Sequence, residues 1–219
     1  MRIKLPSGTP AESAIVDDAN FGLVVIPDIF GLRPLFDDRV ARFAAEWRAS
    51  TVAIEPFGTD VVGSDVADRM AAVPRVDDAR VFRDLGEAAD ATGCGEVGLI
   101  GFCMGGMYCF KAASMHRFRR IASFYGMIRL PDNWRSPGQR EPLACLADGD
   151  ASTVLAVIGG RDQWTPSADV DALRATGARV EFFADADHGF AHDASRPTHR
   201  ADDARMAFDV ARDWLSAGA

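Results

Sequence analysis

The chain has 219 residues, 48% of them hydrophobic and 26% charged, with a formal net charge of −8. That length and balance fit one domain able to bury its own core without disulfide staples, and they exclude disordered or collagen-like chains. The acidic balance argues against a phosphate backbone as partner, and the best apolar run, Phe21–Pro27, falls far short of the ~18 residues of a membrane helix.

The N-terminal MRIKLPSGTP lacks the apolar core of a secretory signal, so a cytoplasmic location and reduced thiols are expected. The four cysteines (Cys94, Cys103, Cys109, Cys145) have no zinc-motif spacing, and neither a metal nor a cofactor is expected. In chain order, Ile3–Val16 reads as a hairpin at a sheet edge. Gly22–Pro27 (GLVVIP) reads as a buried strand, apolar throughout as central parallel strands are. Leu35–Ala49 carries Val40, Phe43, Ala44 and Trp47 at helical spacing behind Pro34, a first-turn proline. Thr51–Ile54 is a strand, and Pro56–Pro74 a loop with at most one short helix. Then come helix Val76–Thr92, strand Val97–Gly101, helix Met104–Met115 and strand Ile121–Phe124. Met127–Asp150 reads as irregular. Strands Val154–Ile158 and Val180–Phe183 flank a helix at Ser167–Thr176, and the amphipathic Ala201–Ser216 closes the chain, with Met206, Val210, Trp214 and Leu215 apolar. This alternation predicts a single α/β domain over residues 1–219, with a mostly parallel central sheet and helices on both faces.

In such a sheet, reactive groups belong where strands end and helices begin. Gly101-Phe102-Cys103-Met104-Gly105 follows the strand VGLIG and opens a helix. This is the nucleophile-elbow pattern G-x-S-x-G with sulfur in place of oxygen. Glycines at 101, 105 and 106 remove side chains that would collide with so sharp a turn. The helix N-terminus favours a thiolate at Cys103, and the Met104 amide points where an oxyanion would develop. A buried cysteine in a glycine-rich turn is the bland alternative.

A cysteine nucleophile needs a base and a group to orient that base. Among four histidines, His188 lies just past strand Val180–Phe183, with His192 as its rival. Asp162, in Gly159-Gly160-Arg161-Asp162, follows strand Val154–Ile158. Alone it reads more readily as a turn or N-cap aspartate. Cys103, Asp162 and His188 nevertheless occur in the nucleophile–acid–histidine order of α/β-hydrolases. Pro27-Asp28-Ile29-Phe30-Gly31 ends the first central strand. There the Ile29 amide is the candidate second oxyanion donor, and Asp28 either holds the thiol proton or stabilises its loop.

With these residues in place, the chain resembles the dienelactone hydrolase family from about Phe21 to Trp214. The carriers are PDIFGL (Pro27–Leu32), GFCMGG (Gly101–Gly106), SFYG (Ser123–Gly126), GGRDQWTP (Gly159–Pro166) and DADHGFAHD (Asp185–Asp193). The resemblance implies the α/β-hydrolase fold, with Cys103 as nucleophile, His188 as base, Asp162 as its orienter, and the Met104 and Ile29 amides as oxyanion hole. It also implies that Tyr125 lines the pocket, and Phe30 in the Pro27–Gly31 segment is a further candidate substrate contact. Two features depart from the family pattern. Asp28 stands where dienelactone-opening members have a glutamate that helps ionise the cysteine. His192 stands where they have a carboxylate-gripping arginine, and Arg69 or Arg75 would have to serve for a second arginine. The expected activity is hydrolysis of a lactone or small activated ester through an S-acyl enzyme, by a monomer or homodimer. The rivals are a broad small-ester esterase and a non-catalytic ligand-binding protein of the same fold. A Cys103–Cys109 redox pair is disfavoured, since their helical rise of about 9 Å is too long for a disulfide.

Overall fold

The apolar runs pair into an eight-stranded sheet of order β1-β2-β4-β3-β5-β6-β7-β8 in the computed structural model, which describes residues 1–218. The strands are β1 (Arg2–Lys4), β2 (Pro10–Ala14), β3 (Phe21–Ile26), β4 (Ala49–Ile54), β5 (Val97–Phe102), β6 (Arg120–Phe124), β7 (Val154–Gly159) and β8 (Arg179–Phe183). From β4 through β8 every pairing is parallel; β1 and β2 form an antiparallel hairpin that joins the sheet along β4. The edge hairpin expected at Ile3–Val16 is therefore present.

Among the described residues, the seven α-helices are α1 (Pro34–Trp47), α2 (Val66–Ala72), α3 (Asp78–Ala91), α4 (Met104–Ala112), α5 (Pro142–Asp148), α6 (Ser167–Ala175) and α7 (Ala201–Ser216). Strand side chains alternate between two core layers, as the period of two requires. Leu23 and Val25 of β3 pack toward α1 and α7, with Phe36, Phe43 and Ala211. Val24 and Ile26 face the opposite layer, with Leu85 of α3 and Met107 of α4. Burial on both faces explains why these strands read as unbroken apolar runs.

Two local readings are corrected. The stretch Met127–Asp150 is not irregular throughout, because Pro142 opens α5 at its first turn, where a proline loses no hydrogen bond. The buried stripe of α7 is Ala204, Ala207, Ala211 and Leu215; Met206 points to solvent. The alanines bring this helix close to the sheet, which a search for large apolar residues overlooks. Among the described residues, no helix is long and apolar enough to cross a membrane.

One buried charge pair holds the α4 side together. Lys111 is fully buried; its Nζ donates to Asp78 Oδ1 at 2.9 Å and to Gln139 Oε1 at 3.2 Å, while the Arg140 amide donates to Asp78 Oδ2 at 2.7 Å. Removing one member of such a pair strands the other in a poor solvent. Lys111→Ala should destabilise the fold by about 3–5 kcal/mol, read as a shift in urea midpoint. A loss below about 1 kcal/mol, the level of an exposed pair, would contradict this account.

Candidate active site

The parallel strands set their carboxyl ends along one edge, and the loops leaving β3, β5, β7 and β8 meet there. Cys103 sits between β5 and α4 with φ 57° and ψ −117°, a conformation rarely adopted by a residue with a side chain. The turn is held by the Cys103 amide donating to the Phe124 carbonyl at 3.0 Å. The neighbouring glycines are a steric necessity. A Cβ at Gly105 would come within 3.0 Å of the Ile26 and Pro27 carbonyls, and one at Gly106 would meet the Phe124 carbonyl at 2.7 Å. As the first residue of α4, Met104 has an amide with no intrahelical acceptor. Across the cleft, Asp28 takes the Phe30 amide on its carboxylate and the Gly31 amide on its carbonyl, leaving the Ile29 amide between them.

Asp162 lies in the β7–α6 loop with its side chain fully buried. Its Oδ1 accepts the Trp164 amide at 2.8 Å, and its Oδ2 lies 2.8 Å from Nδ1 of His188 in the β8–α7 loop. An ionised carboxylate only accepts, so the proton of this bond belongs to Nδ1. Burial works against a charged ring at His188. The charge of the Cys103 sulfur and the hydrogen bond to Asp162 outweigh it and raise the imidazole to about 10.

Cys103 and His188 open into a cleft of about 150 Å³. Its walls are apolar: Ile29 and Phe30 from the β3–α1 loop, Val66 and Met70 from α2, Met127 after β6, and the stacked pair Trp134 and Trp164. The one other charged group lining it is Arg196, which has no carboxylate partner among the described residues. The buried Trp134 Nε1 likewise finds no acceptor.

The remaining expected site residues fall elsewhere. His192 is 1% exposed, with both ring nitrogens occupied, and cannot touch substrate. Tyr125 is fully buried behind His188, its hydroxyl bonded to His192 rather than free to line the pocket. Arg69 turns away to the Gly63 carbonyl and toward Glu55, and Arg75 is exposed outside the cleft. Asp28 does not reach for the thiol. Its oxygens are taken by Arg33 at 2.6 and 2.9 Å, by His192 at 2.7 Å and by the Phe30 amide at 3.0 Å. These partners come from its own loop and, through His192, from the loop that carries His188.

The chain is similar to known proteins of one family along most of its length. The model of the dienelactone hydrolase family matches residues 10–217. The chain is 30% identical over 210 residues to a candidate carboxymethylenebutenolidase of Methylorubrum extorquens, a match spanning 88% of this chain and 70% of that protein. It is 26% identical over 200 residues to a carboxymethylenebutenolidase of Rhodococcus opacus, spanning 81% and 73%. The fold is shared with a candidate dienelactone hydrolase from Klebsiella pneumoniae at a TM-score of 0.87, with 23% identity over 99% of this chain and 98% of that one. From sheet order to family match, the observations agree that this chain belongs to the dienelactone hydrolase family, and with it to the carboxylic ester hydrolases of the α/β-hydrolase fold.

Proposed function

We propose that the protein hydrolyses a lactone or small activated ester through an S-acyl intermediate on Cys103. One observation carries this reading: Cys103, on a strained elbow, shares a cleft with an imidazole whose far nitrogen is held by a buried carboxylate. The Cys103 thiolate attacks the carbonyl carbon, and the displaced electron pair rests on an oxyanion between the Met104 and Ile29 amides. Collapse breaks the ester C–O bond, and the leaving oxygen takes the proton from His188 Nε2. For a lactone the leaving group stays tethered to the acyl chain.

Acylation then changes the base. The sulfur charge that helped hold the proton on His188 is gone once C–S forms, so the ring becomes a better acceptor when water must be activated. His188 takes a water proton, hydroxide attacks the thioester, and C–S cleavage returns the sulfur as thiolate beside imidazolium. The test is acylation by p-nitrophenyl acetate in rapid-quench mass spectrometry. An acetyl mass on the peptide bearing Cys103 is expected; acetylation elsewhere, or turnover with no covalent species, would refute the mechanism.

The apolar walls favour a second reading within the same chemistry, that of a general small-ester esterase. Among the described residues lining the cleft, Arg196 alone could meet a substrate carboxylate, the feature named in the carboxymethylenebutenolidase relatives. Comparing kcat/KM on cis-dienelactone and p-nitrophenyl acetate separates the two. Arg196→Gln should raise KM about tenfold for the carboxylate-bearing lactone, the scale of one charge-assisted hydrogen bond, and leave the neutral ester unchanged. Equal changes on both substrates would remove Arg196 from substrate recognition.

A further inference from the structure

Behind the cleft runs a second histidine–carboxylate pair. Asp28 is 2% exposed and is gripped by Arg33 through its two terminal guanidinium nitrogens, and its Oδ2 also lies 2.7 Å from His192 Nε2. His192 Nδ1 lies 2.6 Å from the Tyr125 hydroxyl, and the ring is stacked at 5.3 Å on Phe102. Only one arrangement of protons satisfies every atom. Burial would raise the Asp28 carboxyl, but His192 and Arg33 hold it well below the usual carboxylate range, so Asp28 accepts. Burial pushes His192 down, keeping it neutral with its single proton on Nε2 toward Asp28. Its Nδ1 therefore accepts, and the Tyr125 hydroxyl donates.

This chain of bonds joins three strand ends. Asp28 holds the β3–α1 loop that presents the Ile29 amide. His192 belongs to the same loop as His188, and the Arg39 guanidinium fixes its carbonyl at 2.7 Å. Tyr125, held at φ 39°, follows Phe124, whose carbonyl anchors the Cys103 elbow, and its ring packs edge-on against His188 at 5.3 Å. An oxyanion hole works only if its donors are fixed before charge develops. We infer that His192 is a positioning residue: through Asp28 it sets the Ile29 amide in register with Cys103 and His188. The inference rests on the S-acyl mechanism proposed above.

Three substitutions separate the links. His192→Gln offers an amide donor near the Nε2 position and keeps the Asp28 bond. His192→Asn offers a carbonyl near the Nδ1 position and keeps only the Tyr125 bond. His192→Leu keeps neither. With p-nitrophenyl acetate, Leu and Asn should lower kcat roughly 10- to 100-fold, below the ~10²–10³ of losing an oxyanion donor outright. KM should stay within about twofold, and Gln should recover most of the rate. Equal losses in Asn and Gln that track falling melting temperature would overturn the inference in favour of a merely structural role. Unchanged kcat in all three would overturn it as well. Should the Leu variant fail to fold, the Gln–Asn comparison decides alone. Acetylation of wild-type Cys103 is measured in parallel: its absence refutes the mechanism itself, whereas its presence with unaltered variant rates refutes only the role of His192.

Discussion

Alanine at position 103 should lower ester turnover by at least about 10⁴-fold, with circular dichroism and melting temperature unchanged within a few degrees. The size follows from the role. Under the mechanism proposed above, loss of the sulfur leaves the His188–Asp162 pair and the candidate oxyanion amides, but water must attack directly, and residual catalysis of that kind is several orders of magnitude weaker than the complete mechanism. The fold should be indifferent because the elbow is shaped by Gly101, Gly105 and Gly106 and by the bond from the Cys103 amide to Phe124, none of which involves the thiol. Alanine also relaxes little of the strain at φ 57°, since the Cβ is retained. Serine is the sharper control. Its hydroxyl occupies the same place but ionises far less readily than a thiol, so the contribution by which the sulfur raises His188 is lost. Cys103→Ser should therefore be impaired nearly as much as alanine despite carrying a nucleophilic atom. Activity within tenfold of wild type in the alanine variant would mean that the bond is broken by another group.

The line between what the sequence disclosed and what it concealed follows the distance over which each feature is written. Cys103, Asp162 and His188 each come just after an apolar run, and a parallel sheet delivers all such ends to one edge. Their common location could thus be read residue by residue, and the structure adds the 2.8 Å bond between His188 and Asp162. The glycines of the elbow were legible for the same local reason. The Asp28–His192 pair was not, because its partners stand 164 positions apart and nothing local to either announces the other. His192 looked like a substrate contact through its place four residues after His188, yet its ring turns inward onto Phe102 and Phe36. Val66, Met70 and Trp134 come from segments without sustained periodicity, so their convergence on the cleft had no pattern to betray it. Arg33 and Arg196 were missed in a chain rich in arginine, where one more cation carries little signal.

Asparagine at position 162 should cut kcat by about 10³–10⁴-fold while leaving the fold intact, the scale expected when a catalytic imidazole is held in the wrong tautomer. Here the direction of the error can be read from the loop. The Trp164 amide donates to Asp162 Oδ1, so an asparagine would keep its carbonyl oxygen there and turn its amide nitrogen toward His188 Nδ1. Two donors cannot face each other, and the ring would move its proton to Nε2, where it can no longer accept one from Cys103 or from water. The pH profile should change as well. Asp162 is one of the groups that raise His188 in the native site, so its neutralisation lowers the pH at which the ring gives up its proton. In the proposed mechanism the alkaline limb of kcat/KM reports loss of that proton from His188, and it should move to lower pH in the variant. A variant with reduced kcat but an unmoved alkaline limb would show that Asp162 acts on the shape of its loop and not on the charge of His188. A profile shifted upward would reverse the sign of the interaction and overturn the assignment of Asp162 as the partner that stabilises the imidazolium.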